Sequence, residues 1–266
     1  MPDIAVLVKA SLNPDMARIG PDGSVDLSSI PLKISDIDRN AVEEAVRLKE
    51  KLGGKLYAVS ILTWGPVKLR AKDLRLAVQE ALAKGVDEAI IVADDELTPG
   101  DQATTAKAIK AALEKHGIKP DIILAGEATI DEVTSQVPGR LASLLGYRYL
   151  SFVRKLDIDD GRIVAERDLE DYIEIVEASL PVVVSVTQEI NEPRPPTLLQ
   201  IRRAARKPIT EYKASDLEDV GKPMRKIVEV RGIQVKRKQQ IIEGDSLEEV
   251  AEKLIEALTR EGVLKL

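Results

Sequence analysis

Short apolar runs alternate with amphipathic stretches along residues 1–150 of the chain. Residues 4–8 are apolar without interruption, which is typical of a strand that is buried on both faces of a parallel sheet. Similar runs of strand length lie at 56–63, 89–92 and 122–125. These runs predict strands in the interior of one sheet.

The stretches between these runs have apolar residues at helical spacing. They cover residues 36–52, 74–82, 101–115 and 134–145. Each is followed by a glycine, the residue that most readily ends a helix: Gly53, Gly85, Gly117 and Gly146. Strands that alternate with helices predict right-handed crossovers, and therefore a doubly wound, mostly parallel, Rossmann-like α/β sheet.

The pattern changes after residue 150. Two apolar pieces flank the turn Asp159-Asp160-Gly161, and residues 172–176 form another, which predicts an antiparallel hairpin at the edge of the sheet. Residues 181–186 are strand-like again. We therefore expect the α/β domain to cover residues 1–190.

Residues 191–266 have the composition of an extended arm rather than of a second domain. Prolines recur between residues 193 and 223, apolar clusters are few, and a basic run lies at 202–207. An amphipathic helix is predicted from Ser246 to about Thr259, because residues 246–249 form a capping-box sequence. We expect this part of the chain to wrap around a partner protein.

Composition excludes several classes of function. The chain has no cysteine, which excludes disulfides, thiolate catalysis and Cys-ligated metal clusters, and with His116 as its single histidine we predict no metal site. A net charge of −6 argues against a nucleic-acid partner, and no run approaches the length of a transmembrane segment. We expect a cytoplasmic protein whose only association with a membrane is through partner subunits. The 32% of charged residues resembles the composition of hyperthermophile proteins.

The loop at residues 126–136 carries the strongest binding signal. In an open α/β sheet a ligand lies at the carboxyl ends of the strands, so the loops after residues 8, 63, 92 and 125 are candidates. Gly126 allows close approach of the backbone, and Thr134 and Ser135 with the free amides of the next helix suit a pyrophosphate. The alternative is an ordinary capped loop, in which Asp131 and Thr134 satisfy helix amides.

Two further loops carry weaker signals. Asp36 and Asp38 begin the first helix, where carboxylates serve either a ligand or the helix dipole. Trp64 either covers a ligand ring or seals its own loop. His116, at a helix end, is expected to be structural. The sequence has no Gly-x-Gly-x-x-Gly, Walker-type or nucleophile-elbow motif, so we predict no independent dehydrogenase, kinase or hydrolase and assign no catalytic residue.

Five segments resemble the β subunit of electron-transfer flavoproteins, in the same order and at the same spacing. They are residues 40–50, 82–87, 126–136, 165–185 and 191–198, the last beginning Asn191-Glu192-Pro193-Arg194. The resemblance implies a subunit of adenine-nucleotide-hydrolase-like fold that pairs with an α subunit carrying FAD. It also implies a redox partner, such as a dehydrogenase or a quinone oxidoreductase.

The resemblance also implies an adenine nucleotide in the β subunit. In one branch of the family this nucleotide is a structural AMP, and in the electron-bifurcating branch it belongs to a second FAD that accepts a hydride from NADH. Asp38 and residues 131–138 resemble the bifurcating branch, which favours FAD over AMP here. A stand-alone adenine-nucleotide-binding regulatory protein is a third hypothesis, but the phosphate loop of that class is missing.

By resemblance, the nucleotide-binding residues lie at strand ends and in the loops that follow. They are Leu7, Lys9, Ser35, Asp38, Thr63, Trp64, Gly65, Gly126, Thr129, Ile130, Asp131, Val133, Thr134, Ser135, Gln136 and Val137. Leu198 falls where the family anchors its dehydrogenase partner. Arg202 and Arg203 either steer an acidic partner or are a solvated charge run. Residues 34–37 depart from the family in lacking the usual Asn-Pro.

Overall fold

The computed structural model describes residues 1–159, 161–233 and 238–265. Internal contacts divide the chain into two units, Met1–Val230 and Arg231–Leu266. Asp160, in the predicted turn, and residues 234–237 and Leu266, in the predicted arm, lie outside the described residues. In the described part, no helix is long and apolar enough to cross a membrane.

The larger unit is built on a sheet of nine strands in its described residues. These strands are β1 (Ile4–Leu7), β4 (Leu56–Ile61), β5 (Glu88–Val92), β6 (Ile122–Gly126), β7 (Arg148–Asp159), β8 (Arg162–Asp168), β9 (Ile173–Ser179), β10 (Val182–Val186) and β11 (Ile209–Tyr212). The order across the sheet is β11-β5-β4-β1-β6-β10-β7-β8-β9. The pairs β7–β8 and β8–β9 are antiparallel, and the other pairs are parallel.

Helices cover both faces of this sheet. They are α1 (Asp36–Leu52), α2 (Val67–Lys84), α3 (Gln102–His116), α4 (Val137–Leu145) and the short α5 (Leu198–Ala204). Because successive strand residues point to opposite faces, Val6 packs in one core with α1 and α2, and Leu7 in another with α3 and α4. The predicted doubly wound fold is confirmed, and the uninterrupted apolar runs are explained by burial on both faces.

The sheet reverses its winding between β1 and β6. From β1 the chain passes to β4 and β5 on one side, then returns to β6 on the other side. A separate two-stranded ribbon of β2 (Ala10–Leu12) and β3 (Leu32–Ile34) lies between β1 and α1 in sequence. Reversal leaves room at the carboxyl ends of β1 and β6, because the crossover connections on the two sides diverge there.

The later part of the chain contains one strand that the sequence pattern did not predict. The edge hairpin is confirmed as β7 and β8, and β9 continues it as the edge strand. The last helix is confirmed as α6 (Leu247–Arg260), with Ser246 Oγ accepting the N–H of Glu249 at 3.2 Å. Strand β11, from the segment assigned to the arm, instead pairs with β5 and extends the sheet. Its four residues are too few to show the alternation of a strand, and they follow a proline-rich stretch.

Candidate functional site

A cleft opens at the carboxyl ends of β1, β4 and β6, at the reversal point of the sheet. Its empty volume is about 660 Å³, including open solvent at the mouth. Ten of the residues selected from the sequence line it: Leu7, Lys9, Asp38, Thr63, Gly126, Thr129, Thr134, Ser135, Gln136 and Val137. Residues from four separated segments of the chain thus meet at one site.

Six of the selected residues do not line the cleft: Ser35, Trp64, Gly65, Ile130, Asp131 and Val133. Asp131 lies behind the wall, where it binds cleft-lining Lys9 and the Trp64 indole. Ser35 is fully buried at the start of α1, and Val133 is 71% exposed. A Cβ on Gly65 would lie 2.2 Å from the Thr98 hydroxyl, so this glycine serves loop packing.

Several further residues that line the cleft were not among the candidates named from the sequence. Glu127, Ala128, Glu132 and Pro138 lie in segments that the sequence had indicated, and the others are Val8, Val59, Ile61, Asp101, Gln102, Thr105, Ile109 and Ala125. Asp101 caps the start of α3 and lies in the loop after residue 92, which is one of the candidate loops at the carboxyl ends of the strands. The position of Asp101 in that loop was the signal that could have identified it. The apolar residues belong to ordinary buried strands and helices, and their pattern does not distinguish a cleft wall from the core.

Asp38 joins the ends of two neighbouring strands. Its Oδ2 accepts the N–H of Lys9 at 2.8 Å and its Oδ1 accepts the N–H of Gly126 at 3.2 Å. The side chain therefore does not serve the amides of its own helix, which was the alternative interpretation. Burial raises the pKa of Asp38 to about 7, against the two backbone hydrogen bonds and the charge of Lys9, which lower the pKa.

Lys9 lies in an acidic cluster beside the cleft. Its Nζ lies 3.0 Å from Asp131 Oδ1, pairs with Glu132, and lies 3.4 Å from Thr129 Oγ1. Burial alone would raise the pKa of Asp131, but Lys9 and hydrogen bonds from Thr129 and Trp64 outweigh it and hold that pKa below its usual range. Asp131 is thus an anion at neutral pH, and it fixes Lys9 at the cleft wall.

Trp64 is held by polar groups on its edge and its face. Its indole Nε1 donates to Asp131 Oδ2 at 2.7 Å, and the Arg225 guanidinium lies 5.3 Å from the ring centroid. The same Asp131 oxygen accepts the N–H of Leu12 at 3.0 Å. Asp131 therefore organises neighbouring loops rather than capping the next helix, and Trp64 seals its loop beside the cleft.

The loop between β6 and α4 has an unusual backbone before the helix begins. Val133 and Ser135 have φ of 48° and 51°, values that non-glycine residues rarely adopt. Helix α4 begins at Val137, three residues later than the sequence pattern suggests, because left-handed residues cannot continue a helix. Left-handed residues alternating with others turn backbone N–H groups toward one point, which suits an anion. Thr134 and Ser135 add hydroxyls to this wall of the cleft.

Thr63 places an unsatisfied hydroxyl in the cleft. The residue is 4% exposed, lines the cleft, and its Oγ1 has no hydrogen-bond partner among the described residues. A buried hydroxyl without a partner is costly, so Thr63 Oγ1 is available to hydrogen-bond a ligand in the cleft. The free hydroxyl, the left-handed loop and the apolar floor of Leu7, Val59 and Ile61 fit a nucleotide with polar and apolar parts.

The predicted partner-binding residues lie on a separate surface. Leu198 is 79% exposed at the start of α5, and Thr197 caps that helix in a reciprocal capping box with Gln200. Arg202 and Arg203, in the last turn of α5, are exposed too. The structure therefore presents an exposed leucine on a fixed helix start, with two cations one turn away.

Comparison with known proteins gives consistent matches over nearly the whole chain. A family model described as the electron transfer flavoprotein domain matches residues 23–217. The electron transfer flavoprotein subunit beta of Thermoanaerobacterium thermosaccharolyticum is 33% identical over 271 residues, covering 98% of this chain and 100% of the relative. The subunit of the same name from Bacillus subtilis is 30% identical over 264 residues, covering 98% of each chain.

Proposed function

The chain belongs to the electron transfer flavoprotein family as a β subunit, and on that premise we propose that its cleft holds an adenine nucleotide for an electron-transferring heterodimer. Membership of this family implies an α-subunit partner. The observation that most supports the nucleotide is the convergence of ten residues, selected from the sequence alone, on one cleft at the reversal point of the sheet.

Different residues of the cleft suit different parts of the nucleotide. The loop after β6 offers backbone N–H groups and the hydroxyls of Thr134 and Ser135, which suit phosphate oxygens. The Gln136 amide, now accepting from Arg140 at 2.8 Å, can donate to and accept from an adenine or ribose edge. Asp38 accepts two backbone N–H groups and offers no donor to a phosphate, so its part here is to hold the strand ends beside the nucleotide.

Within this proposal the nucleotide is the adenylate half of a second FAD. The support is the resemblance of Asp38 and residues 131–138 to the bifurcating branch of the family. A flavin bound here would accept a hydride from NADH and send electrons onward through the α-subunit FAD to partner redox proteins. AMP is the alternative, since the same hydroxyls and amides would hold its phosphate, and the subunit would then serve as structural holder and docking surface.

A cofactor count decides between these forms. We would co-express the chain with its α subunit, release the cofactors from the heterodimer with acid, and count FAD and AMP by chromatography. Two FAD and no AMP support the bifurcating form, and one FAD with one AMP supports the structural form. One FAD with neither AMP nor a second FAD would contradict nucleotide binding by this subunit.

A pair of variants links the count to this cleft. Thr134→Val removes a lining hydroxyl and should lower the nucleotide content of the heterodimer. Ser29→Ala is the control, because it removes an exposed hydroxyl that donates to Asp26 O and does not line the cleft. It should leave the nucleotide content unchanged. Equal nucleotide loss in both variants would disconnect the cleft from the cofactor.

The exposed start of α5 supports a redox-partner surface centred on Leu198. Leu198→Ala should slow electron transfer between the heterodimer and its dehydrogenase partner, because it removes an exposed apolar side chain from the proposed partner surface. Cofactor content should not change, because the Leu198 side chain is 79% exposed and does not line the cleft. Leu76→Ala, at a 53% exposed leucine on α2, is the matched control. Equal rates in the two variants would remove Leu198 from the partner surface.

A further inference from the structure

A segment near the end of the larger unit contacts two residues that line the cleft. We call residues 223–230 the strap. The Met224 N–H donates to Asp101 Oδ2 at 2.7 Å, and the next residue, Arg225, pairs with Glu132. Asp101 and Glu132 both line the cleft, from the loops after β5 and β6 on opposite sides of its mouth. At its far end, Val230 O accepts the N–H of Val25 at 3.2 Å. The strap is therefore held at the cleft by Met224 and Arg225, and at its other end by Val230.

Arg225 is half-buried, as are Pro223 and Ile227, whereas the other strap residues are exposed. The Arg225 side chain is 26% exposed, whereas its neighbour Met224 is 97% exposed. Besides pairing with Glu132, its guanidinium stacks on Trp64, with the charged carbon 5.3 Å from the ring centroid. Two contacts thus hold this side chain against the rim, an ion pair and a cation–π interaction.

We propose that the strap is a latch, closed by Arg225, that sets how fast the adenine nucleotide enters and leaves the cleft. The inference rests on the proposed function, since it concerns the nucleotide placed there. Arg225 does not line the cleft. It acts as a positioning residue that holds the strap across the mouth, and the bound nucleotide does not need its contact.

Opening of the latch should cost little free energy, because of the contacts that Arg225 makes. When Arg225 leaves, Glu132 keeps its pair with Lys9, so that no buried charge is left without a partner. The Nε and Nη2 of Arg225 are buried without hydrogen-bond partners within the described chain, so the closed form is not held by a saturated network. The strap can open without disturbing the sheet, because its anchors are side chains and loop amides.

Exchange kinetics of the heterodimer test the latch. Arg225→Gln removes the charge and the pair with Glu132 while keeping a long side chain. Lys222→Gln is the matched control, since Lys222 precedes the strap, is 79% exposed, and lies 3.6 Å from Glu96, which does not line the cleft. AMP or FAD, whichever the cofactor count finds in the β subunit, is the probe for both release from the loaded complex and uptake by the depleted one.

A latch has a kinetic signature that a structural contact lacks. Because opening precedes both entry and exit, Arg225→Gln should raise the uptake and release rates by the same factor, about tenfold, and leave Kd within about twofold. Tenfold corresponds to about 1.4 kcal/mol in the opening equilibrium. Arg225→Lys, which keeps the charge but not the planar stack, should recover part of the slow exchange. Lys222→Gln should exchange at the wild-type rates.

Other outcomes overturn the latch. Faster release with unchanged uptake would make Arg225 a binding contact, and wild-type rates in both directions would deny it any role. If Arg225→Gln does not assemble, Glu132→Gln removes the other side of the pair, and unchanged uptake in that variant overturns the proposal. A wild-type complex without a β-subunit nucleotide overturns the proposed function and the latch together, whereas unchanged rates in a loaded complex overturn the latch alone.

Discussion

Gly126 and Asp38 fit together because the glycine has no side chain. The Gly126 N–H donates to Asp38 Oδ1 at 3.2 Å, and a Cβ on Gly126 would lie 2.6 Å from the same oxygen. The carboxylate thus occupies the volume that any other residue would fill. Since Asp38 also accepts the N–H of Lys9, this contact ties the ends of β1 and β6 to the start of α1.

Gly126→Ala should therefore destabilise the subunit by about 1–3 kcal/mol. The added methyl group would meet the Asp38 carboxylate and, at 3.0 Å, Ile37 Cγ2, and both belong to the packed first turn of α1. Denaturant unfolding of the heterodimer would measure the change. The double variant Asp38→Ala/Gly126→Ala should lose less than the sum of the single variants, because the smaller side chain removes the clash. Strict additivity would contradict this account.

Asp38 should also make stability depend on pH. Its pKa is raised from 3.8 to about 7, so the folded chain binds this proton more tightly than the unfolded chain does. The resulting stabilisation is fully present below the unfolded pKa and is lost as pH rises through the folded one. Between pH 5 and pH 8 the wild type should lose roughly 3 kcal/mol relative to Asp38→Asn, which does not titrate. Unfolding of both heterodimers at the two pH values measures this difference, and parallel pH profiles would contradict it.

The acidic cluster around Lys9 gives a prediction about buried charge. Asp131→Ala removes the acceptor of the Leu12 N–H and the Trp64 indole, as well as an ion-pair partner of Lys9. We expect a loss of about 3 kcal/mol in the free energy of unfolding, because buried donors are left without partners. The measurement is denaturant unfolding of the heterodimer with matched wild type.

An exposed ion pair provides the control for this variant. Lys51 and Asp157 lie 2.5 Å apart with side chains 51% and 72% exposed, so water screens them. Asp157→Ala should leave the unfolding midpoint unchanged. If both variants shift the midpoint equally, burial does not explain the effect at Asp131.

The sequence predicted most of the fold because burial leaves a clear periodic pattern. The runs at β1, β4, β5 and β6 are apolar on both faces, and glycines mark the helix ends. Strand β11 could not be predicted, since its four residues are half-buried at the sheet edge and have no alternation. Its position depends on a pairing with β5 more than 100 residues earlier.

The candidate site was only partly predictable for the same reason. Loop position and resemblance selected Gly126, Thr134 and Gln136, because those signals are local in sequence. Arg225 reaches Glu132 across 93 residues, and no local pattern marks that contact. Asp131 was selected for the nucleotide but lies behind the wall, because sequence alone does not show which way a loop carboxylate points.

Thr63 provides a test in which stability and nucleotide binding should change in opposite directions. Its buried hydroxyl has no partner in the described chain, so Thr63→Val should keep or raise stability, by up to about 1 kcal/mol. If the bound nucleotide supplies the missing partner, the same change should weaken binding about tenfold, the cost of one lost hydrogen bond. Unfolding and equilibrium binding of AMP or FAD to the heterodimer measure the two effects.

Ser60 makes the test specific, because it differs from Thr63 mainly in position. It lies on β4, is 1% exposed, and also has a hydroxyl without a partner among the described residues, but it does not line the cleft. Ser60→Ala should therefore leave nucleotide affinity unchanged. Equal affinities of the Thr63→Val and wild-type complexes would mean that the hydroxyl does not contact the nucleotide. If both variants weaken nucleotide binding equally, the cause is a disturbance of β4 and the loop that follows it. A hydrogen bond from Thr63 to the nucleotide would then not be needed to explain the result.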